Sequence, residues 1–403
     1  MIKIVDSIMG SGKTSMSIQM MNDDDEHSYI YITPYLEEVQ RVKKETKKTF
    51  YEPKVHMNDG QLLFKQDAFH ELLRQNKNIV STHSLFSRSN EETMELIYSN
   101  NYILILDEVM DVVEQVDMKE HDLESLIKLD FVKVDKDTGL ITWNEDMEDK
   151  STQYDYVKDL CRNSGLYMYK DNMFMWTFPV KVFQAFKEVY NLTYLFDAQI
   201  QKYYYDLNNM EYEYYYVIKD KDKFKLQLGK PNNKEIKDKL KQLIDVYEGK
   251  LNKIGDSEYS LSKSWYSKRK ESLAVLKNNT ENYFKNIVKA KSGDIIWTTF
   301  KGYKNKIKGR GYSRSFISMN IRATNQYKDR SCLAYTVNRY INPVIKGFFH
   351  SQKVDVDEDM FAISELIQWI WRSKVRDDGN INIYIPSFRM RKLFYDWLDD
   401  NIN

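Results

Sequence analysis

The segment that most constrains this chain lies near its N-terminus, where a short apolar run precedes a loop punctuated by glycine. Ile2–Val5 is rich in β-forming residues, the next segment, Ser7–Thr14, is SIMGSGKT, and a helical pattern follows. A strand, such a loop and a helix N-terminus together form a phosphate cradle, because backbone N–H groups and the helix dipole all favour anionic oxygens. The sequence therefore predicts an ATP-phosphate site at Ser7–Thr14.

The residue types within this loop have separate expected roles. Gly10 and Gly12 let the backbone curl around phosphate oxygens, and Lys13 carries a positive charge to the β- and γ-phosphates. Thr14 offers a hydroxyl ligand to Mg²⁺. Ser7 stands where the commonest form of the motif has glycine. The residues predicted to bind ATP here are Gly10, Ser11, Gly12, Lys13, Thr14 and Ser15.

A second apolar run, Tyr102–Leu106, ends in the acidic pair Asp107-Glu108. We expect Asp107 to hold Mg²⁺ and Glu108 to polarise the attacking water as a general base. Strand ends are often acidic without any function, so the pair alone is weak evidence. Together with Lys13 of the loop, it predicts a hydrolytic site whose catalytic groups include Lys13 and Glu108.

Short apolar runs alternate with helical patterns along the chain, which is typical of an α/β fold with parallel strands buried on both faces. We predict two lobes, residues 1–205 and 206–403, with an acidic insertion at about 118–175. Helices are predicted at 234–248, 357–373 and 387–399. The predicted strands are Ile2–Val5, Tyr29–Ile32, Ile79–Ser81, Tyr102–Leu106, Leu192–Phe196, Tyr214–Ile218, Ile295–Thr299, Leu333–Val337 and Ile381–Ile385.

Charge is balanced overall, with 60 Lys+Arg and 60 Asp+Glu, but it is unevenly placed. Residues 101–160 contain 17 acidic residues and 6 lysines, whereas residues 261–315 contain 14 cations and 3 acids. The first block fits an acidic insertion, and the second fits an anion-binding surface or simply a solvated face. No apolar run approaches the ~20 residues that span a bilayer, and only two cysteines occur. We therefore expect a cytoplasmic protein (in the host cytoplasm if it is phage-encoded) without a membrane partner.

The order of these motifs resembles that of superfamily 2 nucleic-acid helicases, especially the DEAD/DEAH-type helicase-like proteins of bacteriophages. Tyr31–Tyr35 and Ile79–Phe86 look like the strand-end elements of that family's first lobe. The resemblance implies tandem RecA-like lobes with parallel sheets and an ATP cleft between them. It also implies that Thr33, Pro34 and Thr82 contact nucleic acid. Residues 107–110 are Asp-Glu-Val-Met. They depart from both the DExD and the DExH form of that family's acidic motif, because the fourth residue is Met110.

Leu192–Gln199 lies where that family has its motif III, although its residues differ from those usual in the motif. By this resemblance Gln199 senses the γ-phosphate or carries a signal between lobes. An equally supported alternative is that Asp197 and Gln199 have no role in ATP binding and only cap a strand end.

Gln368–Arg376 is similar to the family's motif VI, which implies a helix whose arginines neutralise charge on the γ-phosphate. We expect Gln368 to contact ATP, and Arg372 and Arg376 to act as catalytic fingers on one helical face. The motif's glycine is Trp371 here, and the second arginine lies four residues after the first. The alternative is an ordinary arginine-rich surface helix.

Two further segments are predicted to touch nucleic acid. Ile321–Asp329 looks like motif V, with Thr324 and Asn325 as the contacts. Lys301–Arg314 carries six cations and glycines, which favours a flexible phosphate-binding loop, with a solvated loop as the alternative. Trp297 and Phe300, by contrast, belong to a buried strand. The cations predicted to bind phosphates are Lys304, Lys306, Lys308 and Arg310.

These patterns together predict an ATP- and Mg²⁺-dependent helicase or translocase acting on nucleic acid, DNA rather than RNA, in phage replication, repair or recombination. Replication or recombination proteins are candidate partners. A genome-packaging motor is one alternative, but the C-terminal half lacks an obvious carboxylate trio for a nuclease. A nucleic-acid-binding ATPase switch without directional movement is another.

Overall fold

The computed structural model describes residues 1–58, 61–147, 150, 154–162, 165–170, 173–319 and 326–402. The chain divides into two compact units. Unit 1 comprises Met1–Lys230 and Asn342–Val356, and unit 2 comprises Pro231–Ile341 and Asp357–Asn403. The boundary predicted between residues 205 and 206 therefore comes too early, because unit 1 continues through a hairpin, described below, to Lys230.

The strands are short, and most of those in the two main sheets follow the apolar runs of the sequence. In chain order they are β1 (Ile2–Asp6), β2 (Tyr29–Thr33), β3 (Phe50–Tyr51), β4 (His56–Asn58), β5 (Gln61–Leu63), β6 (Asn78–Thr82), β7 (Ile103–Asp107), β8 (Val113–Gln115), β9 (Val132–Val134), β10 (Ile141–Trp143), β11 (Leu166–Tyr169), β12 (Met173–Thr177), β13 (Glu188–Thr193), β14 (Tyr212–Asp220), β15 (Lys223–Leu228), β16 (Ile244–Val246), β17 (Ile295–Thr298), β18 (Cys332–Tyr335) and β19 (Ile381–Tyr384).

The helices fill the connections between the strands. They are α1 (Lys13–Asp23), α2 (Leu36–Glu45), α3 (Lys65–Arg74), α4 (His83–Phe86), α5 (Glu91–Ser99), α6 (Glu120–Lys128), α7 (Asp155–Arg162), α8 (Val180–Ala185), α9 (Ile200–Leu207), α10 (Lys234–Leu243), α11 (Lys263–Lys268), α12 (Ser272–Asn282), α13 (Lys304–Ile307), α14 (Pro343–Ser351), α15 (Glu358–Ile370) and α16 (Phe388–Leu398). Within the described ranges, no helix is both long and apolar enough to cross a membrane.

Unit 1 is built on a sheet with the strand order β15-β14-β1-β13-β7-β2-β6-β3. Its pairings are parallel apart from the β14–β15 hairpin. Every residue of β2 and β7 is buried, because the two faces of the sheet are covered by separate apolar clusters. This explains why the strands are continuous apolar runs instead of alternating patterns.

The hairpin β14–β15 extends the first sheet past β1 and moves the unit boundary to residue 230. The sequence predicted Tyr214–Ile218 as a strand of the second lobe, but β14 pairs in parallel with β1, where Ile4 lies opposite Tyr214. The short antiparallel turn into β15 then completes the edge of unit 1. A strand's own residues do not reveal which sheet it joins, so the prediction placed it wrongly.

The acidic stretch forms a small layer of its own within unit 1. Strands β11, β12 and β8 make an antiparallel sheet, and β9 and β10 form a hairpin. Together with α6 and α7 they enclose a separate apolar cluster that includes Leu123, Trp143 and Phe174. The insertion predicted at about 118–175 thus has its own core.

A second correction concerns α14, which follows β18 in the chain but packs in unit 1. Its adjacent phenylalanines, Phe348 and Phe349, are both fully buried in the unit 1 core. Phe348 contacts the rings of Tyr167 and Tyr169, and Phe349 contacts that of Tyr203. Burying these large apolar side chains is what holds residues 342–356 in unit 1.

Unit 2 contains a parallel sheet with the order β16-β19-β18-β17. Its core includes Trp297, Tyr312 and Tyr384. The predicted helices at 357–373 and 387–399 correspond to α15 and α16, while the one at 234–248 ends at Leu243 and gives way to β16. The predicted class, an α/β chain with two lobes built on parallel sheets, is confirmed.

Candidate nucleotide site

The predicted phosphate loop connects β1 to α1 at the carboxyl edge of the first sheet. Gly10 and Gly12 both adopt left-handed backbone conformations, with φ of 82° and 93°. A residue with a side chain is strained at such values, so glycine is needed at both positions. With these two glycines the loop turns directly into the N-terminus of α1, as the phosphate-binding motif requires.

Lys13, the first residue of α1, folds back over the loop that precedes it. Its ammonium group donates hydrogen bonds to the carbonyl oxygens of Ser7 and, over 3.2 Å, Ile8. The side chain is half-buried. The positive charge is thus already held at the mouth of the loop.

Ser7, which replaces the usual glycine, has a structural role. Its backbone N–H donates to the carbonyl of Thr193 on β13, and its hydroxyl oxygen accepts a hydrogen bond from the N–H of Val217 on β14. Ser7 therefore fastens the start of the loop to the strands on both sides of β1. This serine is compatible with the loop because its side chain points into the sheet contact.

The acidic pair lies on the same edge of the same sheet as the loop. In the strand register, Val5 is opposite Leu192, and Leu192 is opposite Asp107. These three residues form one row that runs from β1 across β13 to β7. The Cα atoms of Val5 and Asp107, at the two ends of the row, are thus about 10 Å apart at ordinary strand spacing. Lys13 is also close enough to Asp107 for its positive charge to lower the pKa of that carboxyl group.

Asp107 is buried, and its surroundings disfavour its charge. Burial, followed by the nearby carboxylates of Glu108 and Glu38, raises the pKa of Asp107 to about 7. The positive charge of Lys13 lowers the pKa of Asp107 but does not offset burial and the two carboxylates, so a further cation would favour the ionised form. Such a setting is compatible with the predicted role of Asp107 as a ligand of a divalent ion.

Glu108 is the only member of the pair with an unusual backbone. Its φ is 73°, and its N–H donates to the carbonyl of Leu192 over 2.9 Å. A non-glycine residue in this region costs roughly 1–3 kcal/mol and is held there by its surroundings. The strand therefore turns sharply after Asp107, and the half-buried Glu108 is set at the edge of the site.

Sequence reasoning missed Asp6, the last residue of β1. Its two carboxylate oxygens accept hydrogen bonds from the backbone N–H groups of Leu195 and Phe196, both over 2.9 Å. Leu195 is left-handed, with φ of 53°. The predicted strand 192–196 therefore ends early, at Thr193, and the chain turns onto Asp6. Burial raises the pKa of this carboxyl group.

That turn places Gln199, a predicted ATP contact, at the start of α9. Its side chain is buried, and its amide nitrogen lies 3.5 Å from the carbonyl oxygens of Tyr194 and Leu195. Asp197, in the same turn, accepts a hydrogen bond from the Tyr214 hydroxyl over 2.6 Å and pairs with Lys230. The segment is thus anchored to the first sheet.

Several buried hydroxyl groups at this edge lack a hydrogen-bond partner among the described residues. They are those of Ser11 in the loop, Thr33 at the end of β2 and Thr193 at the end of β13. Buried polar groups are normally paired. Together with Lys13 and Asp107, they form a donor and acceptor set that fits a phosphorylated ligand with its Mg²⁺.

The arginine segment of unit 2 departs from its predicted form. Helix α15 ends at Ile370, and a 3₁₀ turn at Lys374–Asp377 follows. Ser373 ends the helix because it adopts an extended conformation and its hydroxyl donates to the carbonyl of Ile370. Arg372 and Arg376 therefore do not share a helical face.

The two arginines also differ in their surroundings. Arg372 is buried and donates to the carbonyl of Met319 over 3.3 Å. Arg376 and Gln368 are half-buried. Arg372 thus makes a contact inside unit 2, and Arg376 is the more accessible guanidinium.

The residues predicted to bind nucleic acid fall on several elements. Thr33 is the last residue of β2 and Pro34 follows it, and Thr82 is the last residue of β6, directly before α4. Thr324 and Asn325 lie outside the described residues. The remaining candidates are those of the basic segment, described next.

Residues 301–314 are folded, contrary to the predicted flexible loop. They include α13, and Tyr312 is fully buried, where its hydroxyl donates to the carbonyl of Ile307 and its carbonyl accepts from the indole of Trp297. Trp297 is in the core as predicted, and Phe300 packs on that core. Of the four cations predicted to bind phosphates, Lys306, Lys308 and Arg310 are exposed, whereas Lys304 is half-buried with its ammonium 4.6 Å from the centre of the Phe316 ring.

Comparison with known proteins identifies the family. The sequence models of the YonV C-terminal Rossmann-like domain and the YonV middle domain match residues 238–398 and 113–176. The SPbeta prophage-derived protein YonV of Bacillus subtilis (strain 168) is 49% identical over 408 residues, with 99% of each chain covered. The chain therefore belongs to the YonV family.

Among solved structures, the chain is similar to helicases. An XPD helicase gives a TM-score of 0.49 at 10% identity, with 100% of this chain and 95% of that chain covered. Xpd4 of S. tokodaii gives 0.48 at 10% identity, covering 98% and 93%. A DEAD box protein from Methanococcus jannaschii gives 0.31 at 11% identity, covering 99% and 85%. Likeness at this level concerns the fold alone and supports no statement about activity.

Proposed function

We propose that this chain is a nucleic-acid-stimulated ATPase of the superfamily 2 helicase type, which uses ATP hydrolysis to move along DNA or to separate its strands. The observation that carries the proposal is the row Val5–Leu192–Asp107, which sets the phosphate loop and the acidic pair on one edge of one sheet. A chain that only bound nucleotide would not need Glu108 beside this row.

The phosphates of ATP would lie on the backbone N–H groups of residues 10–14. Lys13 now donates to the carbonyls of Ser7 and Ile8, and a phosphate oxygen with a full negative charge would attract its ammonium group more strongly than these neutral acceptors. The lysine would thus turn from the loop to the β- and γ-phosphates.

Mg²⁺ would be held by the Thr14 hydroxyl and the Asp107 carboxylate, and it would neutralise charge on the transferred phosphoryl group. Glu108 would orient and deprotonate the attacking water. Gln199, Gln368 and Arg376 remain proposed contributors to ATP binding and turnover, whereas Arg372 is assigned to its contact inside unit 2. Replication, repair or recombination of phage DNA is the setting we propose.

ATP turnover with and without single-stranded DNA, duplex DNA and RNA tests the proposal. We expect stimulation by DNA, and we expect Lys13→Ala and Glu108→Gln to reduce turnover at least about 100-fold, since such groups act in the transition state. Glu37→Gln, an equal charge change at an exposed position of α2, is the matched control. Absence of stimulation by every nucleic acid would exclude a motor, and a forked substrate would then separate unwinding from translocation.

A further inference from the structure

An aromatic side chain of the β14–β15 hairpin lies directly against the phosphate loop. The ring of Phe224, on β15, packs so closely on the backbone of Gly12 that a Cβ at Gly12 would overlap it. Gly12 is thus constrained twice, by its left-handed backbone and by this ring. The sequence offered no indication of the contact, because the two residues are more than 200 positions apart.

The position of Phe224 is fixed from the first helix. The side-chain amide of Gln19, on α1, accepts from the N–H of Phe224 over 2.9 Å and donates to its carbonyl over 3.1 Å. Both backbone groups of one residue are therefore held by the helix that begins at the phosphate loop. This pair of hydrogen bonds is additional to the β14–β15 pairing, and it sets the distance between ring and loop.

The ring is half-buried. Part of it packs with Leu226 and Tyr215 on the apolar cluster beneath β1 and α1, and the residue as a whole remains partly exposed. A partly exposed aromatic ring next to a phosphate site suits a ligand that carries both phosphates and a flat ring. Nucleotides have this composition, because only a ribose separates the base from the α-phosphate.

We propose that Phe224 is the stacking platform for the base of the bound nucleoside triphosphate, an inference that rests on the proposed ATPase function. Stacking recognises the face of a base and not its edge, so it tolerates any base. Gln19, the polar side chain beside the ring, already uses its amide on the Phe224 backbone. The platform therefore senses the presence of a base and discriminates little between ATP and GTP.

Equilibrium binding of three Mg²⁺-bound probes tests this platform: a non-hydrolysable ATP analogue, the matching GTP analogue and inorganic triphosphate. We expect wild type to bind both nucleotides more tightly than triphosphate and within about tenfold of each other. Phe224→Ala and Phe224→Leu should weaken nucleotide binding roughly 5- to 100-fold, the usual range for losing one stacked base. Triphosphate binding should stay unchanged, and Phe224→Trp should retain nucleotide affinity.

Leu226→Ala is the matched control, since Leu226 lies two residues along the same strand and packs on the same cluster. It should weaken nucleotide and triphosphate equally or not at all. Phe224→Leu keeps most of the apolar volume, so a wild-type nucleotide affinity in that variant would overturn the platform in favour of simple packing. An equal loss of triphosphate binding in both Phe224 variants would also overturn it, as would a wild type that prefers one base more than about 100-fold.

The failures of the two proposals are distinguishable. A wild-type protein that binds neither nucleotide nor triphosphate, or whose binding survives Lys13→Ala, would contradict the ATPase proposal itself. A wild type that binds triphosphate through Lys13 but gains nothing from a base would contradict the platform alone.

Discussion

The backbone N–H of Val217 donates a hydrogen bond to the hydroxyl oxygen of Ser7 over 2.9 Å, and both groups are buried. Ser7 begins the phosphate loop, and Val217 lies in the middle of β14. The hairpin that carries Phe224 is thereby attached to the loop at its first residue as well as at Gly12. The serine that departs from the usual motif is a structural link between the loop and the edge of the sheet.

Ser7→Ala and Ser7→Gly should lower the free energy of unfolding by about 1–3 kcal/mol, because each leaves the buried N–H of Val217 without an acceptor. Urea denaturation measures the change. Ser99→Ala, at an exposed serine of the same unit, is the control and should change stability by less than about 0.5 kcal/mol. Equal effects at Ser7 and Ser99 would show that the hydrogen bond does not stabilise the fold.

Several strands of the first sheet were predictable because their residues must be apolar on both faces. Ile2–Val5, Tyr29–Ile32 and Ile79–Ser81 all lie within strands of the first sheet. The end of β13 was placed wrongly because the turn at Leu195 is stabilised by a carboxylate almost 190 residues earlier in the chain. Such a contact leaves no trace in the local pattern.

The residues of the candidate site also fall into those that the sequence predicted and those that it missed. The phosphate loop and Asp107-Glu108 are short contiguous motifs, so the sequence contains their whole description. Asp6 and Phe224 escaped notice because each gains its position from a distant segment: the Leu195 turn for Asp6, and the loop and Gln19 for Phe224. The arginine segment was misjudged because helix periodicity continues past Ile370, whereas Ser373 ends the helix.

Asp107 should make the stability of the metal-free protein depend on pH. Its pKa is about 7 in the folded protein and 3.8 ordinarily, so between these values the folded state binds a proton that the unfolded state has released. Stability due to this group is therefore complete below about pH 4 and is lost as the pH rises through about 7. Asp107→Asn, which cannot ionise, should be more stable than wild type at pH 8.

Urea denaturation in the presence of a chelator, from pH 4 to pH 8, measures this difference. The advantage of Asp107→Asn should be smallest near pH 4 and largest at pH 7 and above. Glu37→Gln, at an exposed carboxylate of α2, should show no such trend. Parallel stability curves for wild type and Asp107→Asn would contradict the burial of a destabilised carboxylate.

The two arginines after α15 should differ in what their removal does. Arg372→Ala removes a buried charged donor to the Met319 carbonyl, so we expect unit 2 to lose about 2–3 kcal/mol of stability. Arg376→Ala, at a half-buried position, should cost less than about 0.5 kcal/mol. Thermal unfolding and ATP turnover should be measured on the same samples. A stable but inactive Arg372→Ala would reverse this assignment and restore Arg372 as a catalytic group.

The exposed cations of the 301–314 segment should contribute to the salt dependence of DNA binding. Lys306 and Lys308 are both exposed on a folded frame, and each phosphate contact to single-stranded DNA contributes about 0.7 to the slope of log K against log salt. Lys306→Glu with Lys308→Glu should therefore flatten the slope by about 1.4.

Lys250→Glu with Lys253→Glu is the matched control, since both lysines are exposed in the same unit and the net charge changes equally. This pair should lower affinity slightly through the general field while leaving the slope almost unchanged, because no phosphate contact is lost. Adding Lys304→Glu and Arg310→Glu to the first pair should flatten the slope further, up to about 2.8 in total. An unchanged slope in the Lys306 and Lys308 variant would place the DNA track elsewhere on the chain.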